Sequence, residues 1–341
     1  MTSANRSIHL VGGVPLEAKE VFEFAGLSFG ALAKRVPDGE KKRGWLRPQA
    51  PIIGATPGVI QSSVHKLLHY TNYYYRPQPG YDVAALRFGP LGYLSAALES
   101  YAIFKGLRGA GVLPPSTRFQ ISIPTAFGVM GHCIERDAIR AVWPVYEAQL
   151  FAEIAEIAAR IPPTDLAVQW DIAVEITQSL DNPRGALSEF SVAELADATA
   201  RALDCLPAQV DGGLHLCYGD AGEDKHFVEP KDMAVMVAFH NAIAERAKHG
   251  IAWIHMPIPI ARDDEAYFAP LADLMLRPET ELFLGLVHRH DGIAGARRKI
   301  AAARRYAASF GVGTECGMGR YFKPEMMPEV FALHRQVAEL D

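Results

Sequence analysis

"GGLHLCYGD", residues 212–220, sets an imidazole and a thiol two positions apart in an apolar run bracketed by glycines. Side chains at i and i+2 of a strand share a face. Read as a strand, the stretch presents His215 and Cys217 side by side, where they could offer one nitrogen and one sulfur to a single ion. Taken alone, the pair is equally well an ordinary buried strand. Zinc takes three protein ligands in catalytic centres and four in structural ones. The fold must therefore bring further ligands from elsewhere in the chain.

The rest of the sequence describes a globular enzyme-sized chain. It has 341 residues, 49% hydrophobic and 21% charged, enough for a large core. The net charge of −5, without a basic stripe, argues against nucleic acid as a partner. The opening "MTSANRSIHLVGGVPLEAKE" has no apolar core of a signal peptide, and no apolar run is long enough to span a membrane. Four cysteines (Cys133, Cys205, Cys217, Cys316) in so long a chain do not form a disulfide scaffold. A cytoplasmic location, with reduced thiols, is the expectation.

Short apolar runs alternate with helical patterns. Strands are expected at 7–13, 33–40, 118–125, 166–175, 212–219, 251–259, 281–289 and 312–319. Helices are expected at about 91–110, 135–161, 191–203, 232–250 and 293–311, with "SVAE" reading as a capping box. Strands that each lead to a helix fit a single (β/α)8 TIM barrel over 1–341 better than an open sheet. The piece 41–117, after the second strand, is larger than one barrel turn needs. Its run "HYTNYYYRPQPGY" (69–81) reads equally as a packed surface loop or as a lid.

Active sites of such barrels lie at the C-terminal ends of the strands. Asp38 and Glu40 end the second expected strand, and Asp171 and Glu175 lie on the fourth. His215 and Cys217 follow on the fifth, His255 on the sixth, His288 and His290 on the seventh, and Glu315 and Cys316 on the eighth. Each alone would more often be a buried structural residue; their concentration on strands five to eight favours a metal site. Thiolates and imidazoles suit zinc, whereas magnesium and calcium prefer oxygen. Glu315 is expected on the face opposite Cys316, and Cys133 and Cys205 read as packing residues.

"HLCYGD" followed about a hundred residues later by "TECGMGR" resembles the zinc signature of cobalamin-independent methionine synthases, a His-x-Cys-Tyr strand and a late Asp-Cys-Gly turn. "HLVGGVP", "PDGE", "VQWDIAVE" and "GLVHRHDG" resemble that family's Ile-Gly-Ser-Phe-Pro, His-Gly-Glu, Gln-Ile-Asp-Glu-Pro-Ala and Asp-Ile-His-Ser stretches, in the same order. The resemblance spans the chain against the catalytic C-terminal half of those enzymes. It implies a zinc-dependent methyl (alkyl) transferase with a small thiol as acceptor. His215, Cys217 and Cys316 then take ligand positions, and His255 stands where the family has a glutamate ligand. Asp171 matches the carboxylate that holds the substrate's amino group, Glu40 a second substrate-binding carboxylate, and Gly13 the family's first-strand serine. Asp171 and His288 are the catalytic candidates. A folate or a corrinoid is the expected methyl donor, and a corrinoid protein or a second copy of the chain the expected macromolecular partner. The alternative is a lyase, decarboxylase or demethylase of the same barrel superfamily.

Overall fold

A computed structural model describes residues 5–41, 44–67, 70–219, 221–222 and 225–340. His69 and Asp220, which belong to two of the quoted stretches, lie outside that set. The described strands are β1 (Arg35–Pro37), β2 (Val59–Leu67), β3 (Tyr70–Pro77), β4 (Arg118–Pro124), β5 (Leu166–Ile172), β6 (Asp211–Leu216), β7 (Trp253–Pro257), β8 (Glu281–Val287) and β9 (Gly311–Thr314). Seven of them form one parallel sheet in the order β1-β4-β5-β6-β7-β8-β9, and β2 and β3 form a separate antiparallel pair. Consecutive order with helices between the strands is the α/β pattern the alternation implied.

Residues 7–13 differ from expectation. They make no strand of their own; Ile8 forms a single parallel bridge to Val312. The His9 N–H donates to the Val312 carbonyl and the Val312 N–H to that of Ser7, each at 2.9 Å, while the Ile8 N–H reaches the Leu32 carbonyl at 2.8 Å. This segment thus ties β9 to the residues that enter β1. It goes no further because Gly12 and Gly13 turn the chain at φ 129° and 56°.

The piece 41–117 contains a short helix (Gln49–Gly54), the β2-β3 hairpin and a long helix (Tyr93–Gly109). The aromatic run read as a loop or lid is mostly strand: residues 71–77 pair with 59–66 across the hairpin. Period-two aromatics such as Tyr73 and Tyr75 suit that role. Elsewhere the helix Val192–Asp204 carries the expected capping box, Ser191 and Glu194 each accepting the other's backbone N–H.

The face enclosed by the curled sheet is partly polar. Arg35 is buried, with Nε 2.9 Å from Asp211 and its terminal nitrogens 3.1 Å from Glu281. Its guanidinium lies 4.5 Å from the ring of Trp253, a desolvated cation on an aromatic face. Higher up, Gln169 accepts from His9 at 2.7 Å and donates to the Val11 carbonyl at 2.6 Å and to Asp171 at 2.8 Å. Such groups are tolerated in a core when each finds a partner.

Gly213 of β6 makes room for this layer. A Cβ there would lie 2.0 Å from the Trp253 ring, and Trp253 is fully buried. Gly213→Ala should force the ring and the cation above it to shift, destabilising the fold by about 1–3 kcal/mol, as overpacked cores do. Urea unfolding checks this; an unchanged midpoint would mean that the ring yields without strain.

Candidate metal centre

Parallel pairing sets the site's base. Asp171 of β5 lies opposite His215 of β6, and His215 opposite His255 of β7. The ladder runs one residue past β6, with the Cys217 N–H donating to the Ile172 carbonyl at 2.9 Å. Cys217 therefore stands just above His215, as the strand reading required, although β6 itself ends at Leu216. Cys316 arrives from the turn after β9, which ends at Thr314.

Among the described residues, one ligand atom each from His215, Cys217 and Cys316 lie within 4.8 Å of one another. The two sulfurs are 3.4 Å apart, far beyond a disulfide bond of about 2.05 Å. Two thiolates sharing one tetrahedral zinc would sit about 3.8 Å apart at ordinary Zn–S lengths, so a small adjustment would admit the ion. The Gly219 N–H donates to the Cys217 sulfur at 3.2 Å, which helps to orient that sulfur. One nitrogen and two sulfurs, with His215 and Cys217 buried at the end of β6 and Cys316 half-buried in the turn after β9, fit zinc by donor chemistry.

His255 is not part of that cluster. Its Nδ1 lies 2.9 Å from Nδ1 of His215, and its Nε2 lies 3.0 Å from the Thr314 carbonyl. Both ring nitrogens are thus engaged one layer below the sulfurs. His255, expected as a fourth ligand, offers no atom to this cluster: its ring nitrogens face His215 and the Thr314 carbonyl. Burial pushes His255 down to about 3, outweighing the Thr314 bond, and holds His215 well below the usual imidazole range. Both rings are uncharged at neutral pH.

A cleft above the sulfurs is lined by Cys217, Cys316, His226, His288, Glu315 and Tyr321, among others. His288 Nε2 lies 2.7 Å from the Ile258 carbonyl, and its Nδ1 lies 3.7 Å from Glu315. Glu315, expected on the far face, points into this cleft and bonds to His226. The strand has ended at Thr314, so strict alternation no longer governs it. Burial alone would lower His226, but the Glu315 bond and charge, with Glu229, raise it to about 9. His226 was not singled out from sequence; a lone histidine in a charged loop carries no spacing signal.

The carboxylates are distributed differently. Asp171 stays at the level of His215, bonded to Gln169. Glu40 lines a neighbouring cleft with Glu17, Asp38 and Glu99. It is the one non-glycine with positive φ among the described residues, at 61°, and its backbone N–H donates to Asp38 at 3.1 Å. Backbone held there costs about 1–3 kcal/mol and is concentrated at functional sites. Its carboxylate lies over Gly12, where a Cβ would come within 2.5 Å of Oε1. Gly13 abuts the turn after Cys316: a Cβ on it would lie 3.4 Å from the Gly319 nitrogen. His290 lies beside Arg289 on the surface.

No protein-family model and no curated protein sequence matches the chain. Among solved structures, it is similar in fold to a B12-independent methionine synthase from Shewanella sp. W3-18-1 in complex with selenomethionine. The TM-score is 0.64 at 12% identity, over 99% of this chain and 97% of that one. No helix among the described residues is long and apolar enough to cross a membrane.

Glu175, the second acid expected at the end of this strand, turns into the core instead. It accepts from Thr125, and its Oε2 has no hydrogen-bond partner. Burial raises it to about 7 against the bond from Thr125. The fold prefers the protonated form, so its contribution is intact below about pH 4.5 and is lost as pH rises through 7. The loss amounts to about 3 kcal/mol at full ionisation. Glu175→Gln should abolish this fall, leaving urea midpoints at pH 5 and pH 8 nearly equal. A variant that still weakens as the wild type does would place the pH dependence elsewhere.

Proposed function

We propose that the chain is a single closed (β/α)8 barrel, with 41–117 as an elaboration, and a zinc-dependent methyl (alkyl) transferase acting on a small thiol. The observation that carries this reading is the convergence of His215, Cys217 and Cys316 within 4.8 Å at the strand ends. The likeness in fold to a methionine synthase supports it. A reducing, cytoplasmic setting would keep both thiols available.

His215, Cys217 and Cys316 would hold zinc. When bound, zinc supplies the positive charge that lets a thiol ionise near neutral pH, where a free thiol is mostly protonated. The transfer forms a bond between acceptor sulfur and methyl carbon while the donor–carbon bond breaks, and that electron pair leaves with the donor. Asp171, at the level of His215 on the adjacent strand, would anchor a cationic amino group on the acceptor and aim its sulfur at the cluster. Glu40, from the neighbouring cleft, and Gly13, against the turn after Cys316, would border the same substrate. His288, with Nε2 committed to the Ile258 carbonyl, keeps Nδ1 toward the cleft and Glu315. It is placed to hold or pass the proton that a departing nitrogen donor requires. The donor would be a folate or a corrinoid, the latter carried by a partner protein, and self-association is the other partnership proposed.

Thiol binding to the zinc-loaded protein tests this. X-ray absorption with a panel of small thiols, with and without an α-amino group, should find one that raises the zinc shell from two sulfurs to three. Asp171→Asn should keep zinc yet weaken amino-thiol binding at least about tenfold, the scale of one lost charged hydrogen bond. If no thiol alters the shell and a substrate is cleaved or decarboxylated instead, the reading is wrong.

A further inference from the structure

His255 has a task that its place outside the cluster makes visible. Hydrogen-bond bookkeeping around it has one solution. The Thr314 carbonyl can only accept, so His255 Nε2 carries a proton and donates to it at 3.0 Å. In a neutral ring the other nitrogen is then a lone pair. His255 Nδ1 lies 2.9 Å from His215 Nδ1, so the proton between them belongs to His215. With its Nδ1 protonated, His215 has a lone pair only on Nε2, and a metal binds through a lone pair.

Two glycines leave room around the ring and around the backbone that flanks it. To reach Thr314 of β9, His255 of β7 must cross the intervening strand β8. Gly285 of β8 leaves room for that crossing: a Cβ there would lie 2.8 Å from the Glu315 Cα, 2.9 Å from the Thr314 oxygen and 3.0 Å from His255 Cε1. Gly313 flanks the other end, where a Cβ would lie 3.4 Å from His255 Nε2. The ring is fully buried and packs against the rings of His9 and His215. To become a ligand, His255 would have to leave this slot, break two hydrogen bonds and uncover buried polar atoms.

We infer that His255 is a positioning residue and not a ligand: it relays the polarity of the Thr314 carbonyl to His215, fixing the tautomer that presents Nε2 to the metal. The site then has three protein ligands, two sulfurs and one imidazole. Its fourth position is open to a ligand from solution without displacement of a protein group, as in catalytic zinc centres. The inference rests on the proposal that His215, Cys217 and Cys316 bind zinc, but not on the reaction assigned to them.

Two variants and one spectrum test it. His255→Gln can keep both bonds, its amide N–H donating to Thr314 and its carbonyl accepting from His215. His255→Leu can make neither. In wild-type protein loaded with zinc, X-ray absorption should show two sulfurs and a single imidazole. His255→Gln should keep that shell and bind zinc within about threefold of wild type, whereas His255→Leu should bind about 10- to 100-fold more weakly at one-to-one stoichiometry, the usual effect of removing a group that orients a ligand. Two imidazoles in the wild-type shell, or the loss of one in His255→Gln, would overturn the inference while leaving the zinc site standing. Equal affinity in His255→Leu would do the same. Absence of zinc from the wild type would instead remove the site itself, and this inference with it. Should His255→Leu fail to fold, the wild-type shell and the glutamine variant still decide.

Discussion

Parallel register among three neighbouring strands governs the centre. Backbone hydrogen bonds between β5, β6 and β7 place Asp171, His215 and His255 at one height. A slip of one residue in any of these ladders would turn the side chains to the opposite face. The ladder's continuation to Ile172 lifts Cys217 to the layer above, and the turn after β9 returns Cys316 to meet it. The cluster is thus assembled by main-chain bonding that no flexible loop could hold as well.

That geometry has a consequence for the core. Barrel interiors are commonly filled with branched apolar residues, whereas the face that this curled sheet encloses stacks polar groups from Arg35 at one end to the sulfurs at the other. Arg35, His9, Gln169 and His255 are all buried and all partnered. Removing one partner from such a set leaves a desolvated group behind and costs more than the bond itself is worth. The polar column therefore links stability to the orientation of the His215, Cys217 and Cys316 side chains above it. The glycines at 213 and 285 are part of the same arrangement, because each leaves room beside a ring.

Much of this was legible in the residues. The His-x-Cys pair read as a strand brings its two side chains together, because a two-residue period is a local property of the backbone. Cys316 joins it through the expected barrel, which brings the ends of strands five to eight together, and through the resemblance, since nothing local says that residues a hundred positions apart meet. The strand that carries His255 and its height are legible in the sequence, but the direction of its ring is not: register fixes where a ring starts, while the Thr314 carbonyl and the room beside Gly285 bear on where it goes. Glu315 was assigned to the far face because alternation was extended past the last residue of β9. The first strand was overextended for a similar reason, since the glycines that end it also look like part of an apolar run.

The central claim is that His215, Cys217 and Cys316 form one zinc centre. The most direct test is metal analysis of protein purified without a histidine tag, wild type beside Cys217→Ser and Cys316→Ser. About one zinc per chain in the wild type, falling sharply in each variant, is the result this account predicts. A metal-free wild type that refuses added zinc, or undiminished zinc in both variants, would contradict it.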